Sequence, residues 1–248
     1  MGLNRTLHKL FKRLTGLYIV RRWPHGLDIS YDIKRLCKGY RFDCIFDVGA
    51  NVGQSASDYM SAYPSSTVFC FEPITETFKQ LQKNMKGKSR VKCFQLAFAA
   101  IAEKRMMTSE ATSTLNCFVD ENSNADTENK KQELVETSTL DDFFESQKMS
   151  HISYLKIDTE GGDLDVLIGA ANLLNMKSID FVEVESGMNS TNQSHVPFEN
   201  LKRFLENQGY SLFGIYEQFS EWPKMKPHLR RVNAVFISEK MISKYTAT

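Results

Sequence analysis

Asp47-Val48-Gly49-Ala50-Asn51-Val52-Gly53 follows the apolar run Cys44-Ile45-Phe46 and reads as a buried strand entering a glycine-bearing turn and then a helix. A dinucleotide turn carries G-x-G-x-x-G at this place, with pyrophosphate on the helix N-terminus. Here the order is Asp-x-Gly-x-Asn-x-Gly, which lacks the second glycine of that fingerprint. The leading carboxylate of Asp47 repels a diphosphate and suits a ligand that carries positive charge. Gly49 and Gly53 let the backbone come close to such a ligand, with Ala50 and Asn51 between them. The alternative is an ordinary strand-to-helix turn with no ligand.

Ligands in open α/β sheets lie beyond the carboxyl ends of the strands, and that rule sorts the remaining candidates. Glu72 ends the next strand in the setting Phe71-Glu72-Pro73, where a carboxylate can accept both ribose hydroxyls of a nucleoside. Gln95 and Ala97 end the third strand and would flank a base. A cationic nucleoside, S-adenosylmethionine, meets these demands together. The second acidic cluster is Lys156-Ile157-Asp158-Thr159-Glu160-Gly161-Gly162. Asp158 could hold the methionyl amino group, orient an acceptor or ligate a metal. Glu160 could act as a base or turn back onto the first amides of the next helix. Glu183 and Glu185 alternate along the fifth strand and so share a face. Carboxylates of this number could bind Mg²⁺, but no spacing demands it, and no metal is expected.

Among the histidines, His195 and His228 fall in segments that open onto the ligand face and are candidate bases beside Asp158 and Glu160. His151 lies at the opposite edge of the sheet, and His8 and His25 belong to the N-terminal segment. Tyr216, Phe219 and Trp222 could stack on a sugar face, and Arg230 and Arg231 could meet an anionic group.

The elements that must position these residues alternate from Asp43 onward, the signature of a parallel sheet with crossover helices. Strands are expected at 44–48, 67–71, 91–96, 152–158 and 179–184, with two closing strands at 210–215 and 232–237. Helices are expected from about Ser55, Glu76, Leu140, Gly162 and Pro197. The expected fold is a Rossmann-like, seven-stranded, mostly parallel sheet with helices on both faces and an antiparallel last strand. The connection Tyr216–Arg231 is too long for a tight hairpin. Residues 103–137 interrupt the alternation, and the polar stretch Asp120–Glu133 reads as a loop or lid. Residues 1–40 form a separate helical extension ahead of the domain at 41–248. Leu3, Leu7, Leu10, Phe11, Leu14, Leu17 and Tyr18 share one helical face, and basic residues cover the rest. Such a helix can lie on an anionic membrane surface, or pack on the domain or on a second subunit in a homo-oligomer.

The 248 residues suffice for one full α/β core, and a net charge of +1 gives no global field for nucleic acid. The five cysteines form no C-x-x-C pair, which fits a reducing, cytoplasmic compartment and excludes a zinc framework. No apolar run reaches the length of a membrane span.

The two acidic clusters, together with Thr112-Ser113-Thr114-Leu115, Thr139-Leu140-Asp141-Asp142 and Val166-Leu167-Ile168-Gly169-Ala170, resemble the FkbM family of S-adenosylmethionine-dependent methyltransferases. The resemblance covers roughly residues 40–240, and Leu155–Gly161 is its most specific block. Where the family usually carries Val and a bulky residue, this chain has Thr159 and Gly162. It implies O-methylation of a hydroxyl on a sugar, a glycan or a related natural product. A nicotinamide-dependent oxidoreductase and a non-catalytic nucleoside-binding protein are the alternatives.

Overall fold

The computed structural model describes residues 13–16, 20, 22–109, 116–119, 131–192, 194–221 and 226–246. Five strands form the parallel part of one sheet: β1 (Cys44–Val48), β2 (Thr67–Phe71), β3 (Val91–Phe94), β7 (Ile152–Ile157) and β8 (Ile179–Gly187). Two long strands, β9 (Tyr210–Glu221) and β10 (Lys226–Ser238), complete it in the order β3-β2-β1-β7-β8-β10-β9. β10 runs antiparallel to both β8 and β9, so it is the single reversed strand. The sheet order turns back between β1 and β7, and the ligand rule therefore points to their carboxyl ends.

Side-chain alternation divides the sheet into two unlike faces. Phe46, Val48, Leu155, Ile157, Val182 and Val184 point to one face, which is apolar along its whole length. That face is covered by α4 (Leu140–Ser146), α5 (Asp163–Ile168), α6 (Ala171–Asn175) and α7 (Phe198–Asn207). The other face is apolar only at its lower end, where Ile45, Tyr154, Phe181 and Val235 pack on Ile33 of α1 (Ile29–Leu36). Higher on the same face, register sets Asp47 beside Lys156 and Lys156 beside Glu183. A row of buried charges thus crosses the sheet where its neighbours carry hydrophobic residues.

The turn-to-helix junctions have local causes. Asp28 accepts from the Tyr31 N–H at 2.6 Å and caps α1, and Thr139 accepts from the Asp142 N–H at 3.0 Å and caps α4. α2 (Gln54–Ala62) starts at Gly53, held at φ +93°, and α3 (Thr75–Met85) follows Ile74.

Residues 103–137 differ from the expectation of a structureless segment. β5 (Lys104–Thr108) and β6 (Gln132–Ser138) pair antiparallel, and β6 also pairs with the short β4 (Ala97–Phe98), forming a second sheet of order β4-β6-β5. Only one side of that hairpin is buried: Met107 and Val135 face Ile74 and Ala97, while Met106 and Leu134 face solvent. The motif Thr112–Leu115 and residues 120–130 of the expected lid lie outside the described residues. β9 and β10 run much further than 210–215 and 232–237, so the segment after Tyr216 is an extended hairpin and not a loop. The helix expected from Gly162 divides at Gly169, whose approach to the Ala99 carbonyl leaves no room for a β-carbon. A last helix, α8 (Glu239–Thr246), buries Met241 against the lower face. Most of the amphipathic pattern at 3–22 lies outside the described residues. Among the described residues no helix is long and apolar enough to cross a membrane.

Candidate active site

β1 ends in a turn that is pinned from both sides. The N–H groups of Gly49 and Ala50 both donate to the Phe71 carbonyl, at 3.0 and 2.9 Å, and the Asp158 N–H donates to Val48 O at 3.0 Å. Gly49 sits at φ +81°, and a β-carbon there would lie 1.9 Å from the Asp158 carbonyl oxygen. Asn51 also has positive φ, +48°, which aims its N–H at Glu72 Oε2 at 3.1 Å. The Ile74 N–H donates to the other carboxylate oxygen at 3.0 Å. Each oxygen of Glu72 keeps a free lone pair, and the carboxyl is buried at the floor of a cleft lined by Pro73, Leu96, Ala97 and Phe118. Burial pushes Glu72 up to about 7, against the pull of its two backbone donors.

A larger cavity of about 700 Å³ opens beside it, over the polar end of the second face. Tyr59, Tyr63, Tyr154 and Tyr216 form part of its wall. Lys156 Nζ donates to Asp158 Oδ2 at 2.8 Å and stands 3.8 Å from Asp47 Oδ1. Burial alone would lower the Lys156 pKa; the carboxylates of Asp47, Asp158 and Glu183 outweigh it and hold the ammonium charged. Asp47 is fully buried and neither oxygen has a hydrogen-bond partner, so burial raises its pKa in spite of Lys156. Glu183 is satisfied instead by the Tyr154 hydroxyl at 2.6 Å and the Asn233 amide at 2.8 Å.

At the far wall three segments meet. His195 Nε2 lies 2.7 Å from Glu185 Oε2 and 3.7 Å from Glu160 Oε2. Glu160 is turned toward His195 by a left-handed backbone, φ +51°, followed by Gly161 at φ +104°. Burial, with Asp158 nearby, pushes Glu160 up to about 7, and burial lowers His195. Arg231 donates to the remaining Glu185 oxygen.

Several expected site residues therefore come together: Asp47, Gly49, Ala50, Asn51, Glu72, Ala97, Asp158, Glu160, Glu183, Glu185, His195 and Tyr216 line these cavities or touch their walls. Gly53 stands one step behind, where a β-carbon would meet Met85 at 2.4 Å, so its role is packing the α2 start. Gln95 does not join them: it is exposed and its amide donates to Thr75 Oγ1 at 2.7 Å, leaving Leu96 in the cleft. His228 lies on the exposed outer part of β10, away from both cavities. Arg231, not Arg230, lines the cavity. Trp222 lies outside the described residues. Glu160 does not cap the next helix, whose N-cap Gly162 has no side-chain partner. Sequence reasoning missed Lys156, Tyr154 and Asn233. A lysine inside the apolar run Ile152–Ile157 was the one visible signal for that buried row.

Residues 47–212, more than half of the chain, match the Methyltransferase FkbM domain. The chain is 29% identical over 185 residues to "Methyltransferase 1" of Beauveria bassiana, covering 68% of this chain and 72% of that protein. It is 25% identical over 146 residues to the "Hexuronic acid methyltransferase AglP" of Haloferax volcanii, covering 59% and 57%. It is 24% identical over 164 residues to the "2-O-methyltransferase NoeI" of Sinorhizobium fredii, covering 56% and 62%. The chain thus spans less than two thirds of the length of the last two. The sheet, with its reversed strand β10 inserted beside β8, is that of the class I methyltransferase fold, and the oxidoreductase alternative falls away. This chain belongs to the FkbM family and is a methyltransferase whose cofactor is S-adenosylmethionine.

Proposed function

We propose that the protein transfers the methyl group of S-adenosylmethionine to a hydroxyl of a neutral sugar, free or within a glycan. The observation that carries this reading is the junction of the two cavities. Gly49, Asn51, Asp158 and Glu160 line both of them. A cofactor whose ribose is held by Glu72 in the cleft presents its sulfonium at that junction, and the larger cavity receives the acceptor. Asp158, neutralised on one oxygen by Lys156, is placed to hold the methionyl ammonium.

The acceptor oxygen attacks the methyl carbon in line. The new O–C bond forms as the C–S bond breaks, the bonding pair stays on sulfur, and neutral S-adenosylhomocysteine results. The acceptor proton passes to the cluster of Glu160, His195 and Glu185 at the cavity wall. Alignment supplies much of the rate, since effective molarities on the order of 10⁵ M or more attend well-oriented reactants.

Tyrosine faces and hydrogen-bonding carboxylates suit a sugar ring. A relative named for hexuronic acid and another named for 2-O-methylation point toward the same class. The cavity itself favours a neutral ring over a hexuronate, because Lys156 and Arg231 are each engaged by a carboxylate. The same acidic lining disfavours a nucleic-acid backbone. The basic amphipathic pattern of residues 3–22 supports peripheral contact with an anionic membrane surface, and five free thiols suit a reducing cytoplasm.

The test is transfer of label from methyl-labelled S-adenosylmethionine to a panel of methyl glycosides. Neutral hexosides are expected to accept methyl at least tenfold faster than the matching hexuronides, with one S-adenosylhomocysteine formed per ether. Methylation confined to amines or thiols, or a preference for the hexuronides, would overturn the reading.

A further inference from the structure

We propose that Glu160, Glu185 and His195 form a binding site for a divalent cation, open toward the acceptor cavity. One ligand atom from each of the three lies within 4.8 Å of the other two. A cation with ligands at about 2.1 Å places adjacent ligand atoms about 3 Å apart, close to the spacings Nε2–Oε2 of 2.7 and 3.7 Å seen here.

The hydrogen bonds around His195 determine what it can offer. Asn192 Oδ1 accepts from the Ser194 N–H at 3.1 Å, and its Nδ2 donates to the Arg230 carbonyl at 2.9 Å, so the amide cannot be reversed. His195 Nδ1, 3.0 Å from that same Oδ1, must therefore be the donor. Nε2 is left to face Glu185 Oε2 at 2.7 Å. Two lone pairs cannot meet at that distance, so a proton or a metal ion has to lie between them. An imidazole N–H donated to an amide carbonyl, with the opposite nitrogen presented inward, is also the support that metal-bound histidines receive.

Glu160 gives a second, independent sign. Its Oε2 is buried and has no hydrogen-bond partner, although the residue borders the open cavity. The left-handed backbone of Glu160 turns this unpartnered oxygen toward His195, 3.7 Å away. Arg231 occupies only the outer oxygen of Glu185 and leaves Oε2 for the cation. Two carboxylate oxygens and one imidazole suit Mn²⁺ or Zn²⁺ and leave coordination positions open to the cavity. That those positions meet an acceptor hydroxyl rests on the methyl-transfer reading; the binding of the ion does not.

The experiment uses the full chain, stripped with chelator and titrated with Mn²⁺, following the free-ion paramagnetic resonance signal and, in parallel, heat. One saturable site is expected, competed by Zn²⁺. Glu160→Gln, nearly isosteric, and His195→Ala should each weaken it at least 30-fold, while Asp58→Asn, an acid of the same cavity, should leave it within twofold. Circular dichroism reports whether each variant keeps its fold. Absence of saturable Mn²⁺ and Zn²⁺ binding overturns the site, as does binding that survives Glu160→Gln or falls only with Asp58→Asn. Labelled methyl transfer in the same samples separates the two ideas: transfer without any ion site removes only the site, and an ion site without sugar methylation removes only the sugar reading.

Discussion

Gly49→Ala is expected to destabilise the protein by about 2–5 kcal/mol and to abolish cofactor binding. Two costs add. Alanine at φ +81° enters the left-handed region that glycine occupies freely. Its β-carbon would also stand 1.9 Å from the Asp158 carbonyl oxygen and 2.8 Å from the carbonyl carbon, and both are backbone atoms. No side chain can swing aside to make room. The tips of β1 and β7 would have to part, breaking the bond from Asp158 N–H to Val48 O and shifting the junction of the two cavities. A loss of this size is a large share of the 5–15 kcal/mol that holds a typical domain together. Urea unfolding followed by circular dichroism measures it, with the slope unchanged and the midpoint lowered. A variant as stable as the wild type would mean that the turn is not held as described.

Glu160→Gln is expected to lower kcat by about 10²–10⁴, the range that a positioned proton acceptor contributes. The amide keeps the shape of the side chain but loses the charge that receives the proton or holds an ion beside His195. Glu72, not Glu160, is the residue proposed to hold the ribose, so affinity for S-adenosylhomocysteine should change far less than kcat. Single-turnover transfer of labelled methyl to the best neutral hexoside reads the chemical step apart from product release. A change of less than threefold would show that the proton leaves by another route.

The elements that were legible are those whose burial is complete on both faces. β1, β2, β7 and β8 are buried along nearly their whole length, and the near-continuous apolar runs of β1, β2 and β7 and the apolar start of β8 mark them in the sequence. The β5–β6 hairpin escaped notice because half of each strand faces water, with Leu134 57% exposed and Lys104 paired to Glu136 on the surface. The outer parts of β9 and β10 carry Glu217, Gln218, Ser220, His228 and Arg230, a composition that reads as loop.

Site residues divide the same way. Asp47, Glu72, Asp158 and Glu160 were findable because each lies at or just beyond the carboxyl end of a strand, where chain order alone predicts the ligand side. The sequence offered both Arg230 and Arg231 and could not choose between them, because neighbouring strand residues face opposite ways and β10 has irregular register at Leu229/Arg231 and Arg231/Asn233. Gln95 and Leu96 exchange places for the same reason at the end of β3. The meeting of Glu160, Glu185 and His195 depends on contacts among three distant segments, which no local spacing encodes.

Calorimetric titration with S-adenosylhomocysteine, wild type beside Glu72→Ala, reads the assignment of the cleft without an acceptor. The ionised carboxyl accepts ribose hydroxyls in charge-assisted hydrogen bonds, and the protonated one accepts them more weakly and on fewer lone pairs. Because Glu72 is raised to about 7 in the free protein, wild-type affinity should be full above that pH and fall as the pH is lowered through it. At pH 8, Glu72→Ala should bind at least tenfold more weakly, about 1.4 kcal/mol, and its affinity should lose most of this pH dependence. Equal binding by the two proteins, or none by the wild type, would contradict the placement of the cofactor on Glu72.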